Sequence, residues 1–336
     1  MKNLICSLCE VPGPSGFETR IRKLIKSEVE SYADEIRTDN LGNLIVRKGK
    51  TGPESKRIMI AAHMDEIGFM VTHIDKGGYV RFMPIGGVNA SACIGSRVRM
   101  LDGLPGLIHA ERKLNGDKPL TFENMFIDLG YEDQRDNPVQ VGDVAVYDYH
   151  PIDLGDRLVS KALDDRIGVA VLVETLRMIK EDDINLSNDI YFVFTVQEEV
   201  GLRGAAPAAF GIKPDLGIAV DVTRTGDTPK ALRMSVDLGK GPAVKVRDQR
   251  LIADPRVVSW MVSVAEKSEI PYQLEVLESG STDAGVIQLV QTGVPAGCLS
   301  IPCRYLHTPS EMVDLRDVKN AVRLMIELLT QPVSLV

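Results

Sequence analysis

Short, almost uninterrupted apolar runs alternate with helix-like repeats along most of this chain, and this alternation narrows the possible folds more than any other feature. Three of the runs cover residues 58–62, 191–196 and 217–220. Strands that are buried on both faces have this composition, because helices cover both sides of a mostly parallel sheet. Apolar residues recur at helical spacing in other segments, namely 17–32, 165–179, 255–268, 285–292 and 314–329. The sequence therefore predicts an α/β fold with a mostly parallel central sheet flanked by helices.

The stretch of residues 68–156 has a different character. Glycine and proline interrupt its short alternating segments at close intervals, for example at Gly77 and Pro84. Closely spaced turn residues of this kind are typical of small all-β units. We predict one larger α/β domain formed by residues 1–67 and 157–336, with a small β-barrel-like domain inserted between the two parts.

The composition restricts the partners and the location of the protein. The 336 residues carry a formal charge of −8, which disfavours binding to nucleic acid and to anionic membranes. No run of about 18 apolar residues occurs, so no transmembrane helix is expected. Residues 1–10 lack the long apolar region of a secretory signal. The five cysteines, an odd number, indicate reduced thiols, and we expect a cytoplasmic protein.

Residue types that bind metals lie at or just after the ends of the apolar runs. The set consists of His63, Asp164, Glu199, Asp221 and His307. In open α/β sheets, ligands bind beyond the carboxyl ends of the strands, so we expect these side chains to meet in one cleft. Taken singly, each of them is more often a cap or turn residue than a ligand. Their joint placement favours a shared site, because acids beside apolar runs are costly unless a cation or another partner neutralises them.

This set of side chains fits a site for two metal ions. Two imidazoles and three carboxylates suit two divalent ions that share one bridging carboxylate, with zinc, cobalt and manganese as candidates. Such a pair of ions can polarise a carbonyl group and lower the pKa of a bound water molecule. A carboxylate that binds no metal can then accept the proton of that water.

Two neighbouring acids, Glu198 and Glu199, can divide these roles. In an extended backbone, successive side chains point to opposite faces, so one acid can bind metal while the other faces the water. Asp65 lies two residues after His63 and could accept a hydrogen bond from its second ring nitrogen. The alternative interpretation of Glu198 and Glu199 is a solvated pair in a loop, which the preceding apolar strand disfavours.

Five ordered motifs that contain these residues resemble those of the TET-type aminopeptidases. Those enzymes are tetrahedral, self-compartmentalising dinuclear metallopeptidases, also described as glutamyl aminopeptidases or cellulase-M-like proteins. The resemblance covers nearly the whole chain and implies a catalytic domain like that of the zinc exopeptidases. The motifs are AHMDEIG at 62–68, KALDDRIG at 161–168, QEEVG at 197–201, VDVT at 220–223 and RYLH at 304–307.

The resemblance implies a ligand set for each of two divalent metal ions per subunit, with zinc as the first candidate and cobalt or manganese as alternatives. One ion is expected at His63, Asp164 and Asp221. The other is expected at Asp164, Glu199 and His307, so Asp164 would bridge the two ions.

The resemblance also implies catalytic roles and an assembly. Glu198 is expected to act as the general base and later as the proton donor to the leaving amine, and Asp65 is expected to orient His63. The inserted domain resembles the dimerisation domain of the family, whose members assemble dimers into hollow dodecamers. The loop Arg224-Thr225-Gly226 departs from the Pro-Ala-Gly common in relatives and leaves the side-chain preference open.

We therefore predict a metal-dependent aminopeptidase that removes N-terminal residues from peptides. The same metal site could serve a dinuclear amidohydrolase or deacylase acting on N-acylated amino acids, and a substrate panel separates these functions. An endoglucanase is a third alternative. It would need two carboxylates about 5–9.5 Å apart and no metal, so the histidines disfavour it. A metal-bound protein without enzymatic activity would not need Glu198, which binds no metal in this scheme.

Overall fold

The computed structural model describes residues 1–111, 120–333 and 335, and it contains two β-sheets and eight α-helices within these residues. One sheet is mixed and has eleven strands, and the other is a closed barrel. Among the described residues, none of the helices is both long and apolar enough to span a bilayer. The helices are α1 (Lys2–Glu10), α2 (Thr19–Val29), α3 (Ala90–Cys93), α4 (Leu163–Glu181), α5 (Ala205–Ile212), α6 (Pro255–Lys267), α7 (Ala284–Ile287) and α8 (Leu315–Thr330).

The strands of the large sheet are β1 (Glu35–Thr38), β2 (Leu44–Gly49), β3 (Arg57–His63), β10 (Ile152–Asp153), β11 (Arg157–Ser160), β12 (Asp189–Thr195), β13 (Leu216–Thr223), β14 (Ala243–Arg247), β15 (Gln273–Val276), β16 (Ala296–Arg304) and β17 (Glu311–Asp314). The strands of the barrel are β4 (Gly68–Ile74), β5 (Val80–Ile85), β6 (Arg97–Met100), β7 (Pro105–Ala110), β8 (Met125–Asp128) and β9 (Val144–Tyr147).

The centre of the large sheet is parallel, as the sequence predicted. β3 pairs with β12 on one side and with β13 on the other, and β13 pairs with β16. All three pairings are parallel, whereas the strands that flank these four are antiparallel to their inner neighbours. Thus β2 pairs with β12, and β14 and β17 pair with β16. The carboxyl ends of four neighbouring strands consequently meet at one edge of the sheet.

Helices cover both faces of this sheet, and alternate residues of β3 show why its sequence is apolar throughout. Ile58 and Ile60 belong to a core that includes residues of α4 and α8. Met59 and Ala61 belong to a separate core that includes residues of α5 and α7. Because successive side chains of a strand point to opposite faces, a strand that is covered on both sides needs apolar residues at every position.

The barrel closes in the order β4–β5–β8–β7–β6–β9. It has its own core, in which the ring of Phe69 contacts Phe82 and Tyr147 edge to face at centroid distances of 5.2 and 5.1 Å. All six strands lie between Gly68 and Tyr147, and the next strand, β10, pairs with β11 of the large sheet. The β-barrel-like unit predicted from the closely spaced glycine and proline residues is therefore confirmed.

Among the elements whose lengths differ from their predictions, β13 and α7 lie beside the predicted ligands or the loops that follow them. β13 continues to Thr223 because its pairing with β16 extends that far, so Asp221 lies inside the strand rather than after it. The helix predicted at 285–292 is limited to Ala284–Ile287. Beyond it the hydrogen bonds tighten to three-residue spacing, and the chain then turns at Gln291, which has a positive φ of 59°.

Candidate active site

The five metal ligands predicted from the sequence lie together at the carboxyl edge of the parallel strands. His63 ends β3, and Asp221 lies near the end of β13. Glu199 follows β12 and His307 follows β16, so both lie beyond the carboxyl ends of their strands. Asp164 is the second residue of α4. This is the edge at which open α/β sheets bind their ligands.

Asp164 links the two imidazoles of this edge. Its Oδ1 lies 3.0 Å from His63 Nε2, and its Oδ2 lies 3.2 Å from His307 Nε2. Glu199 Oε2 approaches the same nitrogen of His307 at 3.4 Å. The two oxygens of one carboxylate therefore face two different histidines, which is the orientation needed for a bridging ligand.

Two overlapping groups of side chains are close enough to hold a metal ion. Their donor atoms lie within 4.8 Å of one another in the groups His63–Asp164–Glu199 and His63–Asp165–Asp221. Asp165 was not among the predicted ligands. Asp165 Oδ2 and Glu199 Oε1 are buried and have no hydrogen-bond partner among the described residues. Because buried carboxylate oxygens without partners are costly, these atoms fit a site that binds cations.

Buried acids surround the two imidazoles, and we call them the acidic cluster. Its members are Asp65, Asp164, Asp165, Glu198, Glu199, Asp221, Asp283 and Glu311. In the part of the chain that the structure describes, every salt bridge of the acidic cluster is to an imidazole and none is to lysine or arginine. Burial, together with neighbouring negative charge, raises the pKa of Glu198 and Asp221 well above the usual range. Cations would relieve this unfavourable concentration of charge.

The ring of His307 is held from the barrel side. Its Nδ1 donates a hydrogen bond to the carbonyl of Gly87 at 3.0 Å, so Nε2 faces the acids. Gly87 lies in the loop after β5, and a Cβ at this position would be 2.6 Å from the same Nδ1. Although burial disfavours the charged ring, the carboxylates of Glu199 and Asp164 raise the pKa of His307 to about 10.

Asp65 connects the end of β3 with the loop after β12. Its Oδ1 accepts a hydrogen bond from the amide of Glu198 at 3.0 Å, and its Oδ2 accepts one from the amide of Glu199 at 3.2 Å. Ser15 Oγ donates to Oδ2 at 2.6 Å. His63 Nδ1 lies 3.1 Å from the main-chain carbonyl oxygen of Asp65 and 3.6 Å from its Oδ1. Asp65 therefore contacts both the first histidine and the loop that carries the two adjacent glutamates.

A cleft of about 280 Å³ opens beside the two histidines. Glu198 lines this cleft but belongs to neither group of metal-binding side chains. Leu202, Val222 and Leu306 contribute apolar surface, and the exposed side chain of Arg224 contributes positive charge. A few polar groups in a partly apolar cleft are typical of small-molecule and peptide sites.

Besides Asp165, two more members of the acidic cluster, Asp283 and Glu311, were not predicted as site residues. Asp283 Oδ2 accepts a hydrogen bond from Thr195 Oγ1 at 2.5 Å. Glu311 accepts hydrogen bonds from two main-chain amides of the site. Neither acid directly follows an apolar run. A position at the end of such a run is the pattern that predicts His63, Glu199 and Asp221 as site residues. The sequence feature that could have identified Glu311 is its position four residues after His307, which places an acid within reach of the main-chain amide of that histidine.

Comparisons with known proteins agree with this geometry. Residues 42–324 match the family model of the M42 glutamyl aminopeptidases. The lysyl aminopeptidase of Pyrococcus furiosus is 36% identical over 98% of this chain and 96% of its own length. An aminopeptidase of the archaeon Desulfurococcus kamchatkensis has a structure with a TM-score of 0.93 and 40% identity, covering 98% of this chain and 94% of that chain.

A third relative is the TET1 peptidase of Pyrococcus horikoshii, described as able to assemble into a tetrahedron or a large octahedral shell. It is 33% identical to this chain with a TM-score of 0.88, covering 98% of this chain and 99% of its own. These matches confirm the resemblance indicated by the five motifs, and they favour neither a deacylase nor an endoglucanase. The chain therefore belongs to the M42 glutamyl aminopeptidase family and is an aminopeptidase.

Proposed function

We propose that this aminopeptidase uses two divalent metal ions and that Asp164 bridges them. We assign one ion to His63, Asp164 and Asp221, and the other to Asp164, Glu199 and His307. The observation that carries this proposal is the placement of the two Asp164 oxygens 3.0 and 3.2 Å from the two imidazoles. Imidazole and carboxylate donors fit zinc, and cobalt and manganese accept the same donors.

Glu198 is the proposed general base of the reaction. When bound, two divalent ions polarise a substrate carbonyl group and lower the pKa of water in the site. Glu198 lines the cleft, and burial raises its pKa. We assign to it the removal of a proton from the attacking water and the transfer of that proton to the leaving amine.

Asp65 is proposed to position the residues that carry out this chemistry. The main-chain carbonyl and the carboxylate of Asp65 both lie near His63 Nδ1, at 3.1 and 3.6 Å. Fixing the far nitrogen of a metal-binding histidine sets the tautomer and the direction of the ring. The carboxylate of Asp65 also fixes the main chain at Glu198 and Glu199, so it relates the base to one of the metal ligands.

We also propose the domain division predicted from the sequence, with a catalytic domain of residues 1–67 and 157–336 and a dimerisation domain of residues 68–156. The barrel and its separate core support this division, although Ile152–Asp153 pairs with the large sheet and residues 112–119 lie outside the described residues. Because the TET1 relative assembles into closed shells, we propose that dimers of this chain form a dodecamer. A mass of about 440 kDa by light scattering, twelve times 36.8 kDa, is the expected result.

The proposed surroundings of the enzyme follow from its charge and its thiols. All five cysteines are free in the structure, which supports a cytoplasmic location. The formal charge of −8 supports peptides rather than nucleic acid or anionic membranes as its partners.

A substrate panel tests the proposed function. The chain is stripped with a chelator, reconstituted separately with zinc, cobalt and manganese, and assayed on aminoacyl amides and on their N-acetylated forms. We expect hydrolysis of the free-amine substrates only, loss of activity after chelation and recovery with metal. Equal rates on the N-acetylated substrates would identify a deacylase instead. Hydrolysis of β-glucan that survives chelation would identify a glycosidase.

A further inference from the structure

Glu311 is a buried acid of the site for which the mechanism above has no role. It opens β17 and is only 1% exposed. Its Oε2 accepts a hydrogen bond from the main-chain amide of Asp164 at 3.0 Å, and its Oε1 accepts one from the amide of His307 at 2.8 Å. One side chain therefore binds two segments that are distant in sequence, and each segment carries a residue assigned above to metal binding.

The segment that carries His307 needs such support because of its backbone conformation. Tyr305 and His307 have φ values of 62° and 61°, in the left-handed region that residues other than glycine rarely adopt. Conformations of this kind persist only where the surrounding structure holds them. The carboxylate of Glu311 holds the amide of His307, while the carbonyl of Gly87 holds its ring.

The contacts of Glu311 distinguish it from the metal-binding acids. Both of its oxygens accept hydrogen bonds from amides, and it belongs to neither group of potential metal donors. The two oxygens of a carboxyl group can each accept a hydrogen bond, so this one side chain holds both segments. We propose that Glu311 is a positioning residue that fixes the spacing of Asp164 and His307 before a metal binds. This inference rests on the metal-binding roles proposed for those two residues.

The substitution Glu311→Gln tests the inference because it keeps the shape of the side chain. The amide group retains one acceptor oxygen and turns an NH2 group towards the second main-chain amide, so one of the two segments loses its anchor. We expect the affinity for Zn²⁺, measured by competition with a chromophoric chelator, to fall ~10–100-fold. This is the usual loss when the support of a metal ligand is removed.

Asp317→Asn provides a matched control in the same sheet-and-helix layer. Asp317 is fully buried, and its two oxygens accept hydrogen bonds from the amides of Gly239 and Gly241, both at 2.7 Å. Like Glu311→Gln, this substitution removes one of two hydrogen bonds between a buried carboxyl group and main-chain amides. Neither of the segments held by Asp317 carries a residue assigned to the metal site. We expect Asp317→Asn to lower thermal stability and to leave the Zn²⁺ affinity within twofold of the wild type.

Two results would overturn the positioning role of Glu311. One is an unchanged Zn²⁺ affinity in Glu311→Gln, and the other is an equal loss of affinity in Glu311→Gln and Asp317→Asn. A wild-type protein that takes up no Zn²⁺ would instead overturn the proposed metal site, so the two failures are distinguishable. If Glu311→Gln does not fold, Glu311→Asp replaces it, because the shorter acid keeps the carboxyl group but cannot reach both amides.

Hydrogen–deuterium exchange of the metal-free wild type tests the inference without any variant. Mass spectrometry with fragmentation along the main chain measures exchange at the individual amides of Asp164 and His307. We expect both amides to be protected in the absence of metal, because the carboxylate of Glu311 already binds them. Exchange at the rate of an unstructured chain would overturn the inference.

Discussion

Buried charge is balanced in two different ways within the α/β layer. Glu275 Oε1 lies 2.5 Å from Lys245 Nζ, and Glu66 Oε2 lies 2.7 Å from Lys161 Nζ. We call these the compensated pairs, and their side chains are at most 5% exposed. The acidic cluster is also buried, but in the described ranges its salt bridges involve only the two imidazoles.

The difference separates acids that stabilise the fold from acids that need a ligand. A buried acid with its own lysine is neutralised when the chain folds, and the cost of removing both charges from water is offset within the protein. The acidic cluster has more carboxylates than imidazoles, so folding leaves negative charge without a counter-ion. In the proposed function, divalent cations would supply the missing positive charge, and we therefore place the chemistry in this part of the molecule.

The largest expected effect follows the loss of the bridging acid. Asp164→Ala removes the oxygens that face both imidazoles, so we expect both metal ions to be lost together and hydrolysis to fall to the detection limit. Metal analysis by plasma mass spectrometry and a peptide assay measure these two effects. Asp317→Asn, a buried acid outside the acidic cluster, should retain both ions. Full metal occupancy in Asp164→Ala would contradict the shared bridge.

The next largest effect concerns Glu198, the acid of the cluster that is proposed as the general base and not as a metal ligand. Glu198→Gln keeps a similar size but cannot accept a proton, so we expect both metals to stay and hydrolysis to fall ~10²-fold or more. Glu199→Gln is the matched comparison, and it should lose metal as well as activity. Near-normal turnover in Glu198→Gln would remove the proposed base.

The compensated pairs predict a change in stability. Lys245→Met leaves Glu275 buried without its cation, and we expect the free energy of unfolding to fall by about 3–5 kcal/mol. The double variant Lys245→Met/Glu275→Leu should recover most of that loss, because replacing a whole buried ion pair with apolar residues is often close to neutral. Urea unfolding measures both values. A double variant as unstable as the single one would show that the pair is not compensated internally.

The smallest expected effect is at the edge of the acidic cluster. Ser15→Ala removes the 2.6 Å hydrogen bond to Asp65 Oδ2, and we expect the free energy of unfolding to fall by about 1.5–3 kcal/mol, as for a hydrogen bond to a charged group. Turnover should fall less than in Glu198→Gln, because the base itself remains. Ser27→Ala is the control, since Ser27 donates only to a carbonyl on the exposed side of α2. Equal stability of the two serine variants would contradict the supporting role of Ser15.

The central sheet and five members of the acidic cluster were predictable because the patterns that indicate them lie within short stretches of consecutive residues. β3 and β12 are buried on both faces, so their sequences are apolar throughout, and the change to His63 and Glu198 marks the carboxyl edge directly. The barrel was predictable because its turns require glycine and proline at short intervals.

The parts that were missed depend on contacts between distant residues. Lys245 and Glu275 make β14 and β15 look like solvated segments, and their burial is explained only by the ion pair that they form after folding. α5 contains Pro207 and five small residues, which give little helical periodicity. Glu311 joins the nearby amide of His307 to the amide of Asp164, which is 147 residues away in the sequence, and this second contact exists only after folding.

One hydrogen bond between the barrel-side loop after β5 and the segment after β16 of the large sheet runs from His307 Nδ1 to the carbonyl oxygen of Gly87. The carbonyl of Gly87 can only accept, so the hydrogen on the ring belongs on Nδ1, and the neutral ring keeps its lone pair on Nε2. A protein trimmed to its α/β layer would keep all five proposed metal ligands but would lose the carbonyl oxygen that sets the tautomer of the neutral His307 ring. Removing the barrel would therefore change which ring nitrogen of His307 carries the hydrogen, and we expect the site to depend on the barrel for this reason.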